Sequence, residues 1–193
     1  PLLERCIAEL CPNFMQPSGQ TEMYPATTMS QPDRQLKRFG NYWGESMIVN
    51  ETAIMDDDGN LLPRNQVGEI VHRGPNVMLG YYKDPKATED ARKFGWHHTG
   101  DLGLIDDHGE VLFLDRKKDM IKSGGENVAS VKIEETLLAH PAVLAAAVVG
   151  LPHPQWGEAV SAFIKLKPGA SADEGAIIEH CRQHLGGFQV PKF

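Results

Sequence analysis

Residues 115–128 read Asp-Arg-Lys-Lys-Asp-Met-Ile-Lys-Ser-Gly-Gly-Glu-Asn-Val. Five charged residues in succession close an apolar, strand-like run, and Gly124-Gly125 then opens a loop ahead of a helix. Glycine at both positions gives the backbone freedom that a tight turn or a close approach to a ligand requires. The chain is therefore expected to change character near Asp115, with a different fold unit on each side.

Upstream, residues 35–114 read as strands joined by tight turns. Asp58-Gly59 and His108-Gly109 are hairpin signals flanked by apolar runs, and Val67–Arg73 reads as another strand. Asp84-Pro85 predicts a short helix to about Phe94, with Asp84 as cap and Pro85 at the first helical position. Residues 1–34 hold a short helical run from Leu2 to Leu10. A turn-rich stretch with Pro17, Gly19, Pro25 and Pro32 follows. They read as the remnant of a larger domain.

Downstream, Ser130 is the expected cap of a helix that presents Ile133, Leu137 and Leu138 to a core. Ala142–Val149 fits a buried strand, and Val160–Leu166 fits its partner. Ser171 and Glu174 form a capping-box pattern before a helix with Ile177, Ile178, Cys181 and Leu185 on one side. The fold class is thus α+β: a strand-rich, barrel-like part (35–114) and a small α+β domain (115–193).

The 193 residues carry a net charge of −7, which argues against a nucleic-acid binder. No run of about 18 apolar residues exists, so no membrane span is expected. Peripheral membrane association and homo-oligomers stay open. Cys6, Cys11 and Cys181 form no paired framework, which points to a reducing, cytoplasmic setting. His180, Cys181 and His184 share a helix face, yet no further ligand lies nearby, so a polar face is expected rather than a metal site. His97 and His98 would point to opposite sides of a strand.

Four blocks in order resemble the late motifs of the adenylate-forming acyl-CoA synthetase family. They are Gly19-Gln20-Thr21-Glu22, Gly68–Tyr82, His98-Thr99-Gly100-Asp101, and Asp115–Val128. Taken one at a time, each is also satisfied by an ordinary turn, strand or charged hairpin. The resemblance implies that Gly19 and Thr21 approach the AMP phosphate and that Glu22 holds Mg²⁺. Thr21 and Glu22 are thus the catalytic pair. It implies that Asp101 accepts the ribose hydroxyls, with Arg116 at the ribose or phosphate. Lys117, Lys118 and Lys122 add positive charge near these anions. Asp115 matches the hinge between a large and a small domain, and Ser123, Gly124 and Gly125 match a loop lining the path of the CoA pantetheine. Gly68–Tyr82 is expected to serve the fold rather than the chemistry. Ser18 stands where the family has an aromatic residue against adenine, and a serine cannot stack.

The resemblance implies a ligase using ATP, Mg²⁺ and coenzyme A to convert a carboxylic acid, in the fatty-acid or aryl branch and by expectation fatty, into its CoA thioester. The starting Met and the family's upstream phosphate loop do not appear, and its adenylation lysine would lie beyond Phe193, so Lys192 is not that residue. These observations predict a piece of a longer enzyme, inactive alone. Two other readings remain: an acyl-adenylate former that loads a carrier-protein thiol, and a non-catalytic interaction module built on residues 115–193.

Overall fold

The computed structural model describes residues 2–32, 34 and 40–193. The expected start of the strand-rich part, at residue 35, lies outside them. The chain divides into two compact units, Pro1–Leu114 and Asp115–Phe193.

The first unit opens with helix α1 (Leu2–Glu9). Seven strands follow: β1 (Gln16–Gln20), β2 (Met23–Ser30), β3 (Asn41–Ser46), β4 (Glu51–Met55), β5 (Gly68–Arg73), β6 (His97–Ile105) and β7 (Val111–Arg116), with helix α2 (Pro85–Asp90) between β5 and β6. They form one sheet in the order β1-β2-β3-β7-β6-β5-β4. Strand β5 is buried on both faces. Ile70 joins Ile54 and Val111 on one side, backed by Trp43 and Phe113, while Val71 joins Met55 and Trp96 on the other. Burying each of these aliphatic side chains contributes about 1.5–3 kcal/mol, so β5 anchors the sheet. Trp43 and Phe113 stack at 4.8 Å. Gly44 is required where β3 crosses β2, since a Cβ there would lie 2.1 Å from the Met29 carbonyl oxygen.

The stretch expected to be turn-rich is a β-hairpin. Pro17 lies on β1, the outermost strand, where a missing N–H is tolerated. Pro25 on β2 faces a register shift between Ser18 and Gln20. Ala26, Thr27 and Thr28 are buried, and threonine favours such a surface. The hairpin tip is the pair Thr21-Glu22. His108-Gly109 joins β6 to β7 as expected, whereas the turn at Asp58-Gly59 returns only through a single bridge between Met55 and Leu61. Asp84 caps α2, accepting from the Ala87 N–H at 2.9 Å, with Pro85 at the first helical position.

The second unit comprises β8 (Ile121–Ser123), β9 (Glu126–Val128), α3 (Ser130–Ala139), β10 (Val143–His153), β11 (Gly157–Leu166) and α4 (Glu174–His184), with sheet order β10-β11-β8-β9. One core joins the sheet to both helices through Ile121, Val128, Ile133, Leu137, Val148, Val160, Ile177 and Cys181. Four expectations are corrected here. Ser130 does not cap α3; it is the first helical residue, and its N–H and hydroxyl both donate to the Asp115 carboxylate, at 2.5 and 2.9 Å. Leu138 is exposed, because the inner face follows Ile133 and Leu137. Asp173, not Ser171, caps α4, accepting from the Ala176 N–H at 2.8 Å and leaving Glu174 as the first residue of the helix. Strand β10 is an outer strand, buried at Val143 and Val148 but largely exposed between them.

Candidate functional site

In the first unit, the two-residue hairpin places Thr21 in solvent and Glu22 half-buried beside it. Glu22 is fixed from two directions. Its carbonyl accepts from the Met78 N–H at 2.7 Å, and its carboxylate Oε1 accepts from the Tyr81 hydroxyl at 2.8 Å. Partial burial raises the Tyr81 phenol above its ordinary range, and the bond to Glu22 adds to that. The segment Gly68–Tyr82, expected to serve only the fold, therefore contributes one side chain to a candidate site residue.

Across from the hairpin, Thr99-Gly100-Asp101 forms a kink within β6. Gly100 has φ +74, and its N–H donates to Glu69 Oε1 at 3.0 Å. The Thr99 hydroxyl donates to the Ile70 carbonyl at 2.6 Å and accepts from the Asp101 N–H at 3.0 Å. Asp101 is 5% exposed. Its Oδ2 accepts from Gln20 Nε2 at 3.0 Å, and the same amide nitrogen lies 3.3 Å from the Thr99 carbonyl oxygen. Gln20 Oε1 faces His97 Nε2 at 3.1 Å. The structure thus bonds Asp101 to Gln20, the residue directly before Thr21 and Glu22, a glutamine that the sequence did not single out.

The histidines divide as their strand positions require. His97 is buried, and His98 pairs with Glu69 at 3.1 Å. His72 lies across from His97 in the sheet and bonds the Thr52 hydroxyl at 3.0 Å. Burial, aided by His97, pushes His72 down to about 4. Burial also lowers His97, with Glu22 opposing. Both rings are neutral near pH 7. His180 and His184 bond main-chain carbonyls, and no group of three or more potential metal ligands occurs among the described residues.

In the second unit, Ser123-Gly124-Gly125 forms the turn between β8 and β9. Gly124 and Gly125 have φ +62 and +88, the pair of positive values that a two-residue hairpin demands. Ser123 is buried. The Gly124 N–H donates to the Trp156 carbonyl at 2.8 Å, and the Lys122 N–H to Glu158 Oε2 at 2.7 Å. Beyond Trp156 lies an open groove of about 630 Å³ where His153 stacks on Trp156 at 4.3 Å and Lys192 Nζ sits 5.6 Å from the indole centre. Asp115 is buried, whereas Arg116, Lys117, Lys118 and Lys122 are exposed. Asp115 and Arg116 belong to the second unit, and Gly19, Thr21, Glu22 and Asp101 to the first.

The donor set suits a nucleotide-borne Mg²⁺. Glu22 offers a second carboxylate oxygen that bonds no described residue, and Mg²⁺ is ordinarily held by one or two carboxylates together with substrate phosphates. At adenine, Ser18 offers no ring; its carbonyl accepts from the Thr27 hydroxyl.

The family model described as "AMP-binding enzyme" matches residues 1–82, and that described as "AMP-binding enzyme C-terminal domain" matches residues 132–193. The chain belongs to the AMP-binding enzyme family. The chain is 40% identical over 191 residues to a 2-succinylbenzoate–CoA ligase of Geobacillus kaustophilus, covering 99% of the chain and 38% of that protein. It is also 40% identical over 180 residues to a long-chain-fatty-acid–CoA ligase of Yersinia pestis, covering 93% of the chain and 32% of that protein. Its fold matches the o-succinylbenzoate CoA synthetase of Bacillus subtilis. Against the complex with the acyl-adenylate intermediate the TM-score is 0.90 at 33% identity, covering 100% of the chain and 39% of the other. Against the complex with ATP and magnesium ion it is 0.88 at 33% identity, with the same coverage. The chain therefore spans about two fifths of these AMP-binding relatives or less. Among the described residues no helix is long and apolar enough to cross a membrane.

Sequence reasoning missed Gln20 and Tyr81. Gln20 is the unassigned position of the Gly-x-Thr-Glu block, and its side chain is chemically generic there. The only signal was its place directly before two candidate residues.

Proposed function

We propose that the protein carrying this chain is an AMP-forming acid–thiol ligase that activates a carboxylic acid with MgATP and passes the acyl group to coenzyme A. The observation that carries this reading is the hydrogen bond that ties Asp101 to Gln20, directly before the Thr21-Glu22 hairpin tip. It sets a solvent-facing hydroxyl and a carboxylate at a hairpin tip, tied to a second carboxylate in a glycine kink. That separation of roles suits a nucleotide, with phosphate and Mg²⁺ at one end and sugar at the other.

In the first half-reaction a carboxylate oxygen of the acid attacks the α-phosphorus of ATP, forming the acyl-phosphate bond as pyrophosphate leaves. Gly19 permits close approach of the backbone, and the Thr21 hydroxyl donates to a phosphate oxygen. Glu22 would hold a Mg²⁺ whose charge would offset that of the phosphates, and Tyr81 keeps that carboxylate in place. Asp101 accepts the ribose hydroxyls, with Arg116 at the ribose or phosphate. In the second half-reaction the CoA sulfur attacks the acyl carbon, the thiol proton departs, and AMP leaves with the bonding electrons. Asp115 serves as the hinge for this change of partner, since a residue at an element end can absorb a large backbone rotation. Ser123, Gly124 and Gly125 line the approach of the thiol. Lys117, Lys118 and Lys122 supply positive potential. Fixed dipoles and charges do the work here, with no covalent protein nucleophile.

The acid is fatty or aryl. The relatives at 40% identity include one named for an aryl acid and one named for long-chain fatty acids. The test is ATP–pyrophosphate exchange by the complete protein over a panel of long-chain and aryl acids, followed by CoA-dependent AMP release. Asp101→Ala is expected to weaken AMP binding about tenfold to a hundredfold, the worth of hydrogen bonds to a charged group. Absence of exchange with every acid, or unchanged AMP affinity in Asp101→Ala, overturns the assignment. Exchange without CoA-dependent release points to a carrier-protein thiol as acceptor.

A further inference from the structure

We propose that Gln20 is a positioning residue that aims the Asp101 carboxylate at the nucleotide sugar, an inference that rests on the ribose role given to Asp101 above. The argument is the polarity of its amide. Gln20 Nε2 faces two acceptors, Asp101 Oδ2 at 3.0 Å and the Thr99 carbonyl at 3.3 Å, and the amide nitrogen has two hydrogens to give. A flipped amide would set oxygen against both, so the orientation is fixed. Gln20 Oε1 is then an acceptor facing His97 Nε2 at 3.1 Å, which makes Nε2 the protonated nitrogen of that ring. The ring is 3% exposed and stays neutral through burial. Its Nδ1 is buried with no hydrogen-bond partner among the described residues. An unmet acceptor of this kind is an unfavourable feature that a purely structural histidine would not need. Its presence fits a ring held in place for what Nε2 does.

The relay His97–Gln20–Asp101 therefore has every hydrogen in a determined place. It links residues 77 and 81 positions apart in sequence. Gln20 is also the last residue of β1, directly before Thr21. One side chain thus sets both the direction of the sugar-binding carboxylate and the position of the hairpin tip relative to it. Gln20 touches no reacting atom; it acts through Asp101.

The test uses the complete protein and two nucleotides, AMP and 2′,3′-dideoxy-AMP. The native protein is expected to prefer AMP by about tenfold or more, as charged hydrogen bonds to the hydroxyls require. Gln20→Met keeps the volume and removes all three contacts. It should lower that preference by about threefold while leaving dideoxy-AMP affinity unchanged. Gln20→Glu has the same shape, sets carboxylate against carboxylate, and should lower it further. It carries the test should the Met variant not fold. On an Asp101→Ala background, Gln20→Met should cause no additional loss. If either variant weakens both nucleotides equally, or keeps the native preference, Gln20 is merely structural and the proposal fails. If the native protein shows no preference for AMP, the ribose role of Asp101 fails first, a result distinct from the failure of Gln20.

Discussion

Replacing Asp115 by Ala tests what holds the start of α3 in place. The Asp115 carboxylate is 2% exposed and accepts three hydrogen bonds: Arg116 N–H at 2.8 Å, Ser130 N–H at 2.5 Å and the Ser130 hydroxyl at 2.9 Å. The residue at the cap position of α3, Ala129, has no side-chain acceptor, so Asp115 performs the capping from fourteen residues upstream. Loss of a cap costs about 0.5–2 kcal/mol. A hydrogen bond to a charged group is worth about 1.5–3 kcal/mol. The Ser130 N–H contact is counted in both, so about 2–3 kcal/mol is expected for Asp115→Ala. For a unit of this size that lowers the melting temperature by about 10–20 °C. Ser130→Ala removes only one of the three donors and should cost less, about 1.5 kcal/mol, the low end for a hydrogen bond to a charged group. The assay is calorimetry of the complete protein, with hydrogen exchange at the first-turn amides of α3 reporting the second unit locally. A shift below about 2 °C with unchanged exchange, or a Ser130→Ala loss as large as that of Asp115→Ala, refutes the reasoning.

Other expectations follow from burial and backbone geometry. Burial holds His72 at about 4 when folded, well below its ordinary 6.5, so the unfolded chain binds the extra proton between those values. Stability is then full above about pH 6.5 and falls as the pH drops toward 4, by on the order of 3 kcal/mol if the whole shift is realised. Urea midpoints at pH 7.5 and 5 should differ less in His72→Gln than in the native protein, and an equal difference sinks the assignment. Gly125→Ala meets no atom within 4 Å and should lose only the left-handed backbone preference, about 1–2 kcal/mol. Gly44→Ala drives a Cβ to 2.1 Å from the Met29 oxygen and should abolish the β2–β3 pairing, read as loss of exchange protection at Thr28 and Met29.

What was legible in the sequence was whatever a local rule fixes. Asp84-Pro85 had to begin a helix because both residues suit its first turn, and Gly124-Gly125 read as a loop because glycine accepts positive φ, although the β8–β9 strands that make it a hairpin were not expected. The β1–β2 hairpin was hidden because Pro17 and Pro25 read as turn formers. Their tolerance depends on facts outside the segment: β1 is the outermost strand and Pro25 faces a register shift. Ser171 lost the capping of α4 to Asp173 for a reason of register, since the helix begins at Glu174 and only the preceding residue can reach the Ala176 N–H. The candidate site divides along the same line. Thr21, Glu22 and Asp101 stood out because family motifs carry them, but nothing local says what holds them. The holders are Gln20 and Tyr81, ordinary side chains whose roles exist only once β6 and the segment after β5 come alongside the hairpin. A carboxylate that must point at a ligand needs partners on its other side, and those partners come from wherever the fold supplies a donor. Residues that touch substrate are therefore the ones a linear motif records, while the residues that aim them appear only once the sheet has brought distant strands together.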